Sequence, residues 1–471
     1  MASEKTLNAK NLAALGADRL AELLLELAGS DAAAKRRLRL ELASRSGGSD
    51  AAIEIRKRLS TIAKAKAFLD WRKVKPFALD LEAQRAAIVA HVAPTQPGEA
   101  FDLLWQLLAM APAIYERCDD SQGAIGAIVR QARSDLAPIA AQAMRPPSQL
   151  ADRVHAGAIA NDHGQFDGLI ALMASALGHE GLEVLKAKFT DLAATLPSVS
   201  GKGRVNEYGR HQHEREAQRQ AARVRHALMN IADAQGDADE YAAHFSPEER
   251  AMPAVAAGIG ERLLKAGRAT DAMAVLAAAR PTFGAGKRWD EWQRAWIDTL
   301  DAVGRPADAQ AERWIAFERD LNATYLRAHI KRLPDFDDED AEIKALAFVA
   351  QHPDFNRALA FLVDWPAPDL AAQCILKRQG ELDGNLYEIL TPAADALGHR
   401  YPLAATLALR AMIDFALIKS RHARYGHAAR HLQTCEDLAR HIDDFGDRRN
   451  HAAYVAHLRL NHGRKAAFWN A

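Results

Sequence analysis

The sequence predicts an all-α protein built of stacked antiparallel helical hairpins, and three observations support this fold class. The octapeptide that begins at Gly267 returns in similar form at Gly304, 37 residues later, and such a period is typical of stacked helical repeats. Hydrophobic residues make up 49% of the chain but aromatic residues only 7%, which suits helices packed through alanine and leucine. No convincing run of β-branched residues alternates with polar ones, as it would in a half-buried strand.

The chain begins with a region that predicts a separate helical domain. Leucines at helical spacing within residues 7 to 44 predict a hairpin, and Asp31 is placed to cap its second helix. The dipeptide Pro146-Pro147 is the best candidate boundary. We therefore divide the chain into an N-terminal helical domain with a basic face, residues 1–147, and a region of degenerate helical repeats, residues 148–471.

Basic residues are concentrated between Lys35 and Lys75, where there are thirteen of them and four acidic residues. Over the whole chain the 61 basic and 61 acidic residues cancel, so any attraction to nucleic acid has to be local. One interpretation is a surface that contacts phosphate, and the other is a solvated helical face. For a nucleic-acid-associated accessory protein, the contacting residues would be Lys35, Arg36, Arg37, Lys57 and Lys64.

Adjacent carboxylates stand in a predicted loop at Asp119 and Asp120. They lack the alternate spacing of a calcium-binding loop, and a cap on the following helix by Asp120 or Ser121 explains the pair better. We therefore predict no metal here.

The two copies of the repeat each have an apolar helical run on both sides of a glycine. In the first copy, Ile259 and Leu263 precede Gly267, while Ala272 and Leu276 follow it. Two short helices are therefore expected to meet at a tight turn, where glycine adopts positive φ at little cost. A weaker echo of this pattern surrounds Gly236.

The repeat resembles the tetratricopeptide superfamily. The matching residues of the first copy are Ile259, Gly260, Leu263, Gly267, Ala272, Leu276 and Ala279, and those of the second are Trp296, Leu300, Gly304, Ala309 and Ala316. The second copy departs at Arg313, where a large apolar residue is expected, and the spacing exceeds the usual period of about 34 residues. The resemblance implies a tetratricopeptide-like α-solenoid.

In such a solenoid, the first helix of each pair lines a groove that binds a segment of a partner protein. The residues that the resemblance places in the groove are Glu261, Leu264 and Lys265 in the first copy, and Glu291, Arg294, Asp298 and Asp301 in the second. This mixed lining would suit an extended or helical segment that bears charges. The leading interpretation is a non-enzymatic protein-interaction scaffold; alternatively, these side chains only solvate a helix face.

A third group of candidate ligands lies near the end of the chain. His427, His431 and Cys435 are spaced so that one helix face could present all three to zinc. No nearby pair of cysteines completes a site, and Cys435 also fits a packing position of the repeat. We predict no metal, no cofactor and no catalytic residue.

Two further resemblances concern longer stretches. The segments Tyr425–Leu432 and Arg464–Trp469 are similar to helical tails of bacterial proteins that carry SWIM zinc-binding modules, although the Cys-x-Cys signature is absent. The whole chain, notably around Leu12–Gly16, Leu20–Leu24 and Asp119–Ser121, resembles an uncharacterised bacterial helical family. Neither resemblance implies an activity.

The cellular compartment is predicted from what the sequence lacks. The first residues, Met-Ala-Ser-Glu-Lys, have no apolar core of a signal peptide, and no apolar run reaches the roughly 18 residues of a membrane span. Three widely spaced cysteines, Cys118, Cys374 and Cys435, suggest reduced core residues. We therefore expect a cytoplasmic protein that does not enter a membrane.

Overall fold

The described residues fold into α-helices joined by turns and short loops. The structure is a computed structural model that describes residues 6–29, 31–196, 207–281 and 289–471, with the backbone alone for residues 207–214. These ranges contain no β-strand, only an isolated bridge between Leu69 and Cys118. The predicted all-α class is confirmed. No helix in these ranges is both long and apolar enough to cross a lipid bilayer.

Contacts divide the chain into two units, Met1–Arg268 and Ala269–Ala471. In the described part of the first unit the α-helices are α1 Ala9–Ala13, α2 Ala17–Ala28, α3 Ala32–Ser46, α4 Gly48–Lys64, α5 Trp71–Ala87, α6 Pro97–Ala109, α7 Ala111–Tyr115, α8 Ala124–Ala143, α9 Pro147–Ile159, α10 Leu169–Thr195, α11 Glu207–Gln235, α12 Ala238–Ala243, α13 Pro247–Arg250 and α14 Pro253–Lys265. In the described part of the second unit they are α15 Ala269–Ala278, α16 Asp290–Ala302, α17 Pro306–Asp320, α18 Ala323–Ile330, α19 Asp337–Ala350, α20 Phe355–Asp364, α21 Pro368–Lys377, α22 Tyr387–Leu397, α23 Pro402–Ile418, α24 Tyr425–Ala439, α25 His451–His462 and α26 Ala466–Trp469.

Many helix starts follow local capping rules. Asp31 accepts hydrogen bonds from the backbone N–H groups of Ala33 at 2.7 Å and Ala34 at 3.3 Å, as predicted. Asp70 caps α5 in the same way. Proline occupies the first position of α9, α14, α17, α21 and α23, where the N–H that proline lacks has no helical partner to lose. Local sequence therefore determines where these helices begin.

The first unit has one continuous cluster of buried apolar residues, which runs from Leu40 to Ile231. The predicted boundary at Pro147 lies inside this cluster, because α9 begins at Pro147 and buries Leu150 and Val154 within it. The division by contacts falls later, after Arg268. Pro147 is the first residue of α9, and the division into residues 1–147 and 148–471 stays a prediction.

The second unit has a core of its own, from Phe317 to Phe468. In the same unit, Trp292 of α16 is fully buried and donates its indole N–H to the Leu276 carbonyl oxygen at 3.1 Å. The Trp292 ring stacks on the Trp296 ring, with 5.5 Å between their centroids. Aromatic residues are few, but these two are packing residues.

The two copies of the repeat have the turn that their glycines predict. Gly267 and Gly304 both adopt positive φ, 75° and 76°. After Gly267, the N–H of Arg268 donates to the Leu263 carbonyl oxygen at 2.8 Å. After Gly304, the N–H of Arg305 donates to the Leu300 carbonyl oxygen at 2.9 Å. This bond across the helix end is the Schellman motif, which satisfies a carbonyl group that the helix leaves without a partner.

The same turn occurs outside the two copies. At Gly236 φ is 72°, and the N–H of Asp237 donates to the Ala232 carbonyl oxygen at 2.9 Å. At Ser420, between α23 and α24, φ is 49° and the N–H of Arg421 donates to the Ala416 carbonyl oxygen at 2.9 Å. The turn geometry therefore recurs even where glycine is absent.

Candidate functional site

The predicted groove residues of the first copy lie on α14. Glu261 and Leu264 are half-buried and Lys265 is exposed. The neighbouring Arg262 connects α14 to the rest of the first unit. Its guanidinium lies 3.7 Å from the centre of the Tyr241 ring, and its Nε is 2.9 Å from a carboxylate oxygen of Asp233. The three predicted residues therefore sit on a helix with a fixed orientation inside its unit.

The predicted residues of the second copy share one face of α16. Glu291, Arg294 and Asp298 are exposed and Asp301 is half-buried. Asp301 accepts a hydrogen bond from the guanidinium of Arg313 on α17, whose side chain is only 2% exposed. The loss of surrounding water and then the charge of Asp301 raise the pKa of Asp298. Arg313, the departure from the repeat pattern, is thus a buried ionic anchor for one of the predicted residues.

The basic residues of α3 and α4 are largely paired within the first unit. Arg37 lies 2.8 Å from a carboxylate oxygen of Glu41, and Lys57 lies 2.8 Å from one of Glu54. Lys35 donates to the Gly29 carbonyl oxygen at 3.0 Å. Lys64 is exposed.

Acidic residues from later helices complete this pairing. Asp80 of α5 lies between two arginines, at 2.8 Å from Nε of Arg58 and 3.7 Å from Nη2 of Arg36. Arg56 pairs with Glu99 of α6. The charge excess counted along the sequence is therefore reduced by carboxylates that follow it in the chain.

Of the two adjacent carboxylates Asp119 and Asp120, Asp120 caps the following helix, α8, as predicted. The two carboxylate oxygens of Asp120 accept hydrogen bonds from the backbone N–H groups of Ile125 at 3.0 Å and Gly126 at 2.9 Å. Asp119 accepts a longer bond from Ser121 N–H at 3.4 Å. Among the described residues, no group of three or more His, Cys, Asp or Glu side chains is arranged to hold a metal ion.

On α24, the three residues considered as zinc ligands have different environments. Cys435 is fully buried, and burial raises the pKa of its thiol to about 12, which disfavours the thiolate that zinc needs. Burial lowers the pKa of His431. Nδ1 of His427 lies 3.0 Å from Nη2 of Arg430. All three cysteines of the chain are buried and unbridged.

The sequence reasoning missed a polar cavity of about 740 Å³ in the second unit. One wall is a face of α23, and the others are the loops before α22 and α25. The first loop approaches α23 closely at Gly384, where an added Cβ would collide with the Ala411 carbonyl oxygen and lie 2.7 Å from Cβ of Phe415. Only glycine fits there. The charged residues of the lining are Arg410, Arg448, Arg449, Asp383, Asp414 and Asp447.

Arg410 is the most deeply buried charge of this cavity, with 6% of its surface exposed. Its Nη1 donates to the Arg449 carbonyl oxygen at 2.7 Å, and its guanidinium lies 4.3 Å from the centre of the Tyr454 ring. Its Nε and Nη2 have no hydrogen-bond partner in the described chain and are closed to solvent. Burial lowers the pKa of Arg410.

Two other side chains of the cavity contrast with Arg410. Arg448 donates from Nε to Gln379 Oε1 at 2.8 Å and from Nη2 to the Leu376 carbonyl oxygen at 3.0 Å. Asp414 accepts a hydrogen bond from the Tyr454 hydroxyl at 2.7 Å, and burial raises the pKa of Asp414 and that of Tyr454. Hydrogen bonds within the chain therefore engage Arg448, Asp414 and Tyr454, whereas Nε and Nη2 of Arg410 have none.

One sequence signal pointed toward this cavity. Arg410 and Asp414 are four residues apart in the otherwise apolar run of α23, so they share a helix face that should be buried. The other walls come from segments far away in the sequence, which no local pattern brings together.

Comparison with known families gives one match. A family described as "Family of unknown function (DUF6880)" matches residues 2–471. No curated protein and no solved structure matches the chain. The expected kinship with an uncharacterised helical family is therefore confirmed, whereas the tetratricopeptide-like and SWIM resemblances stay predictions.

Proposed function

The chain belongs to the DUF6880 family, and we propose that it works as a non-enzymatic, tetratricopeptide-like scaffold that binds a segment of a partner protein. The observation that carries this proposal is the shared turn of the two repeat copies. Gly267 and Gly304 have nearly the same φ, and each is followed by the same hydrogen bond back across the helix end. Helical repeats that join short helices by such turns commonly serve as extended binding surfaces.

Packing of the second copy supports a rigid binding surface. Between α16 and α17, the Trp296 indole N–H donates to Glu312 Oε1 at 3.3 Å, and Arg319 donates to Gln293 Oε1 at 3.2 Å. Ala309 of α17 is fully buried. Because the buried side of α16 is held in this way, its opposite face can present side chains with little loss of conformational freedom on binding.

Charge on that face suggests what the partner segment carries. Glu291, Arg294 and Asp298 alternate in sign along the exposed side of α16. A segment with charges of both signs would complement them, and such complementarity contributes to specificity more than to affinity. On α14, Glu261 and Lys265 present the same mixture.

The test is affinity purification of the tagged full-length protein from its native cells at moderate salt. The variant Arg294→Glu with Asp298→Arg should lose a stoichiometric partner that the parent protein retains. A matched control is Lys377→Glu with Asp364→Arg, which reverses two exposed charges of the same unit and should retain the partner. Circular dichroism checks that both variants are folded. If every partner survives the α16 reversal, this face is not the binding site.

The alternative, a nucleic-acid-associated accessory protein, has weaker support because most of its predicted contacts are already paired inside the chain. It predicts binding to a labelled oligonucleotide that weakens steeply between low and moderate salt. Lys57→Glu with Lys64→Glu should reduce that binding further. Binding that neither salt nor this double variant affects would rule the alternative out.

A further inference from the structure

We propose that the polar cavity of the second unit binds a compact zwitterion, an amino acid or a molecule of similar chemistry, whose carboxylate pairs with Arg410. This site is distinct from the exposed face of α16 and does not depend on the scaffold function.

Arg410 has an unused pair of hydrogen-bond donors. Its Nε–H and one N–H of Nη2 lie on the same edge of the planar guanidinium, so together they match the two oxygens of a carboxylate. Neither has an acceptor in the described chain, although the side chain is only 6% exposed. A buried donor without an acceptor destabilises a fold, and a buried charge without a counter-charge does so more. A ligand carboxylate supplies two acceptors and the opposite charge.

The same edge of two other arginines is filled by acceptors of the chain itself. In the first unit, Nε and Nη2 of Arg58 both donate to a carboxylate oxygen of Asp80, at 2.8 and 2.5 Å. In the cavity itself, the corresponding edge of Arg448 is filled by Gln379 and by a backbone carbonyl group. Asp414 accepts a hydrogen bond from the Tyr454 hydroxyl and makes none with Nε or Nη2 of Arg410.

The remaining charges favour a ligand that also carries a cation. Three arginines and three aspartates line the cavity, so a dianion such as phosphate would meet three carboxylates as well. Asp383 and Asp447 are both exposed, whereas Arg410 is buried. A zwitterion can place its carboxylate at Arg410 and its ammonium group near one of the exposed aspartates. The volume of about 740 Å³ accommodates a ligand of this size.

Access requires a local movement. Solvent does not reach Nε or Nη2 of Arg410, and the Phe445 ring lies 5.6 Å from the guanidinium. Phe445 belongs to the segment between α24 and α25, which also supplies Asp447, Arg448 and Arg449 to the lining. The ligand therefore has to shift this segment or turn the Arg410 side chain, so binding is expected to be slower than a diffusional encounter.

The experiment uses the full-length protein and a panel of probes: the common amino acids one by one, acetate, succinate and inorganic phosphate. Thermal unfolding screens the panel, because a ligand that binds only the folded state raises the melting temperature, and calorimetry then measures affinity and stoichiometry. We expect one amino acid or a small group of them to bind one equivalent. Arg410→Lys keeps the charge but loses the bidentate edge, and should weaken binding about tenfold or more.

Two further variants keep the result interpretable if Arg410→Lys fails to fold. Arg58→Lys in the first unit makes the same change where the edge is already occupied by Asp80, and should alter affinity less than about threefold. Asp383→Asn with Asp447→Asn removes exposed charges only, and should weaken the zwitterion while leaving acetate unaffected. The proposal is overturned if no amino acid binds at millimolar concentration, if phosphate binds in its place, or if the double variant binds the zwitterion like the parent.

Discussion

Arg58 in the first unit and Arg410 in the second make an instructive pair, since both are arginines that face the interior of a helical bundle. Arg58 lies in the most basic stretch of the sequence, yet a carboxylate oxygen of Asp80 fills its Nε and Nη2 edge. Arg410 stands almost alone in an apolar helix, and the same edge is empty. A count of charges along the chain therefore singles out the stretch that contains Arg58, whose donors are paired, and not Arg410, whose Nε and Nη2 have no partner. Whether a buried guanidinium finds acceptors depends on the fold, which a count of charges does not show.

The cavity around Arg410 depends on the close approach of the loop to α23 at Gly384. A substitution that prevents this approach should have the largest effect. Gly384→Ala places a methyl group against the Ala411 carbonyl oxygen, so we expect the free energy of unfolding to fall by about 3 kcal/mol. Gly380→Ala is the matched control in the same loop, because a Cβ there meets no atom within 4 Å. Urea unfolding followed by circular dichroism measures both. Equal stability of the two variants would mean that the loop does not hold this position.

Removing the carboxylate that pairs with Arg58 should make this arginine resemble Arg410. Asp80→Ala leaves Arg58, which is only 20% exposed, with an empty edge like that of Arg410. We expect the free energy of unfolding to fall by about 2 kcal/mol. This is less than for a fully buried pair, because the side chains of Arg58 and Asp80 remain 20% and 12% exposed. Glu41→Ala, which breaks the exposed pair with Arg37, should cost at most about 0.5 kcal/mol. A similar cost for both changes would show that Asp80 is no better placed than a surface carboxylate.

The smallest effect should be a pH dependence that belongs to the cavity. Burial raises the pKa of Asp414, so the folded state holds this proton more tightly than the unfolded state does. The stabilisation is full below the unfolded pKa of about 3.9 and is lost as pH rises through the raised folded pKa. Asp414→Asn cannot titrate, so its stability relative to the parent should improve from pH 4 to pH 7. A relative stability that stays flat or falls over that range would contradict the raised pKa.

Features set by neighbouring residues could be predicted from the sequence. The positive φ of Gly267 and Gly304 follows from apolar helical runs on both sides of a glycine. The caps at Asp31 and Asp120 follow from acceptors placed just before a helix. In each case the interacting atoms are within a few residues of each other, so the local pattern contains the whole interaction.

Features that join distant segments could not be predicted. The partner of Arg58 is 22 residues away and that of Arg56 is 43 residues away. The sequence therefore left open a phosphate-contacting surface, whereas the fold pairs these arginines with carboxylates. The residues that line the cavity extend from Gln379 to Tyr454 in the sequence. Its main feature is that Nε and Nη2 of Arg410 lack a hydrogen-bond acceptor, and a sequence pattern does not show such an absence. The groove residues of α14 and α16 stay a prediction because only a bound partner tests them.

The turn at Ser420 has a consequence for how helical repeats can be traced. Its backbone matches the turns at Gly267 and Gly304, although serine replaces glycine. The carbonyl groups that accept the turn's hydrogen bond belong to three buried residues, Leu263, Leu300 and Ala416. The apolar acceptor position is thus shared where the glycine is not. In this chain the turn keeps its backbone geometry where the glycine is replaced, so a search for the buried acceptor residue will find turns that a search for glycine misses.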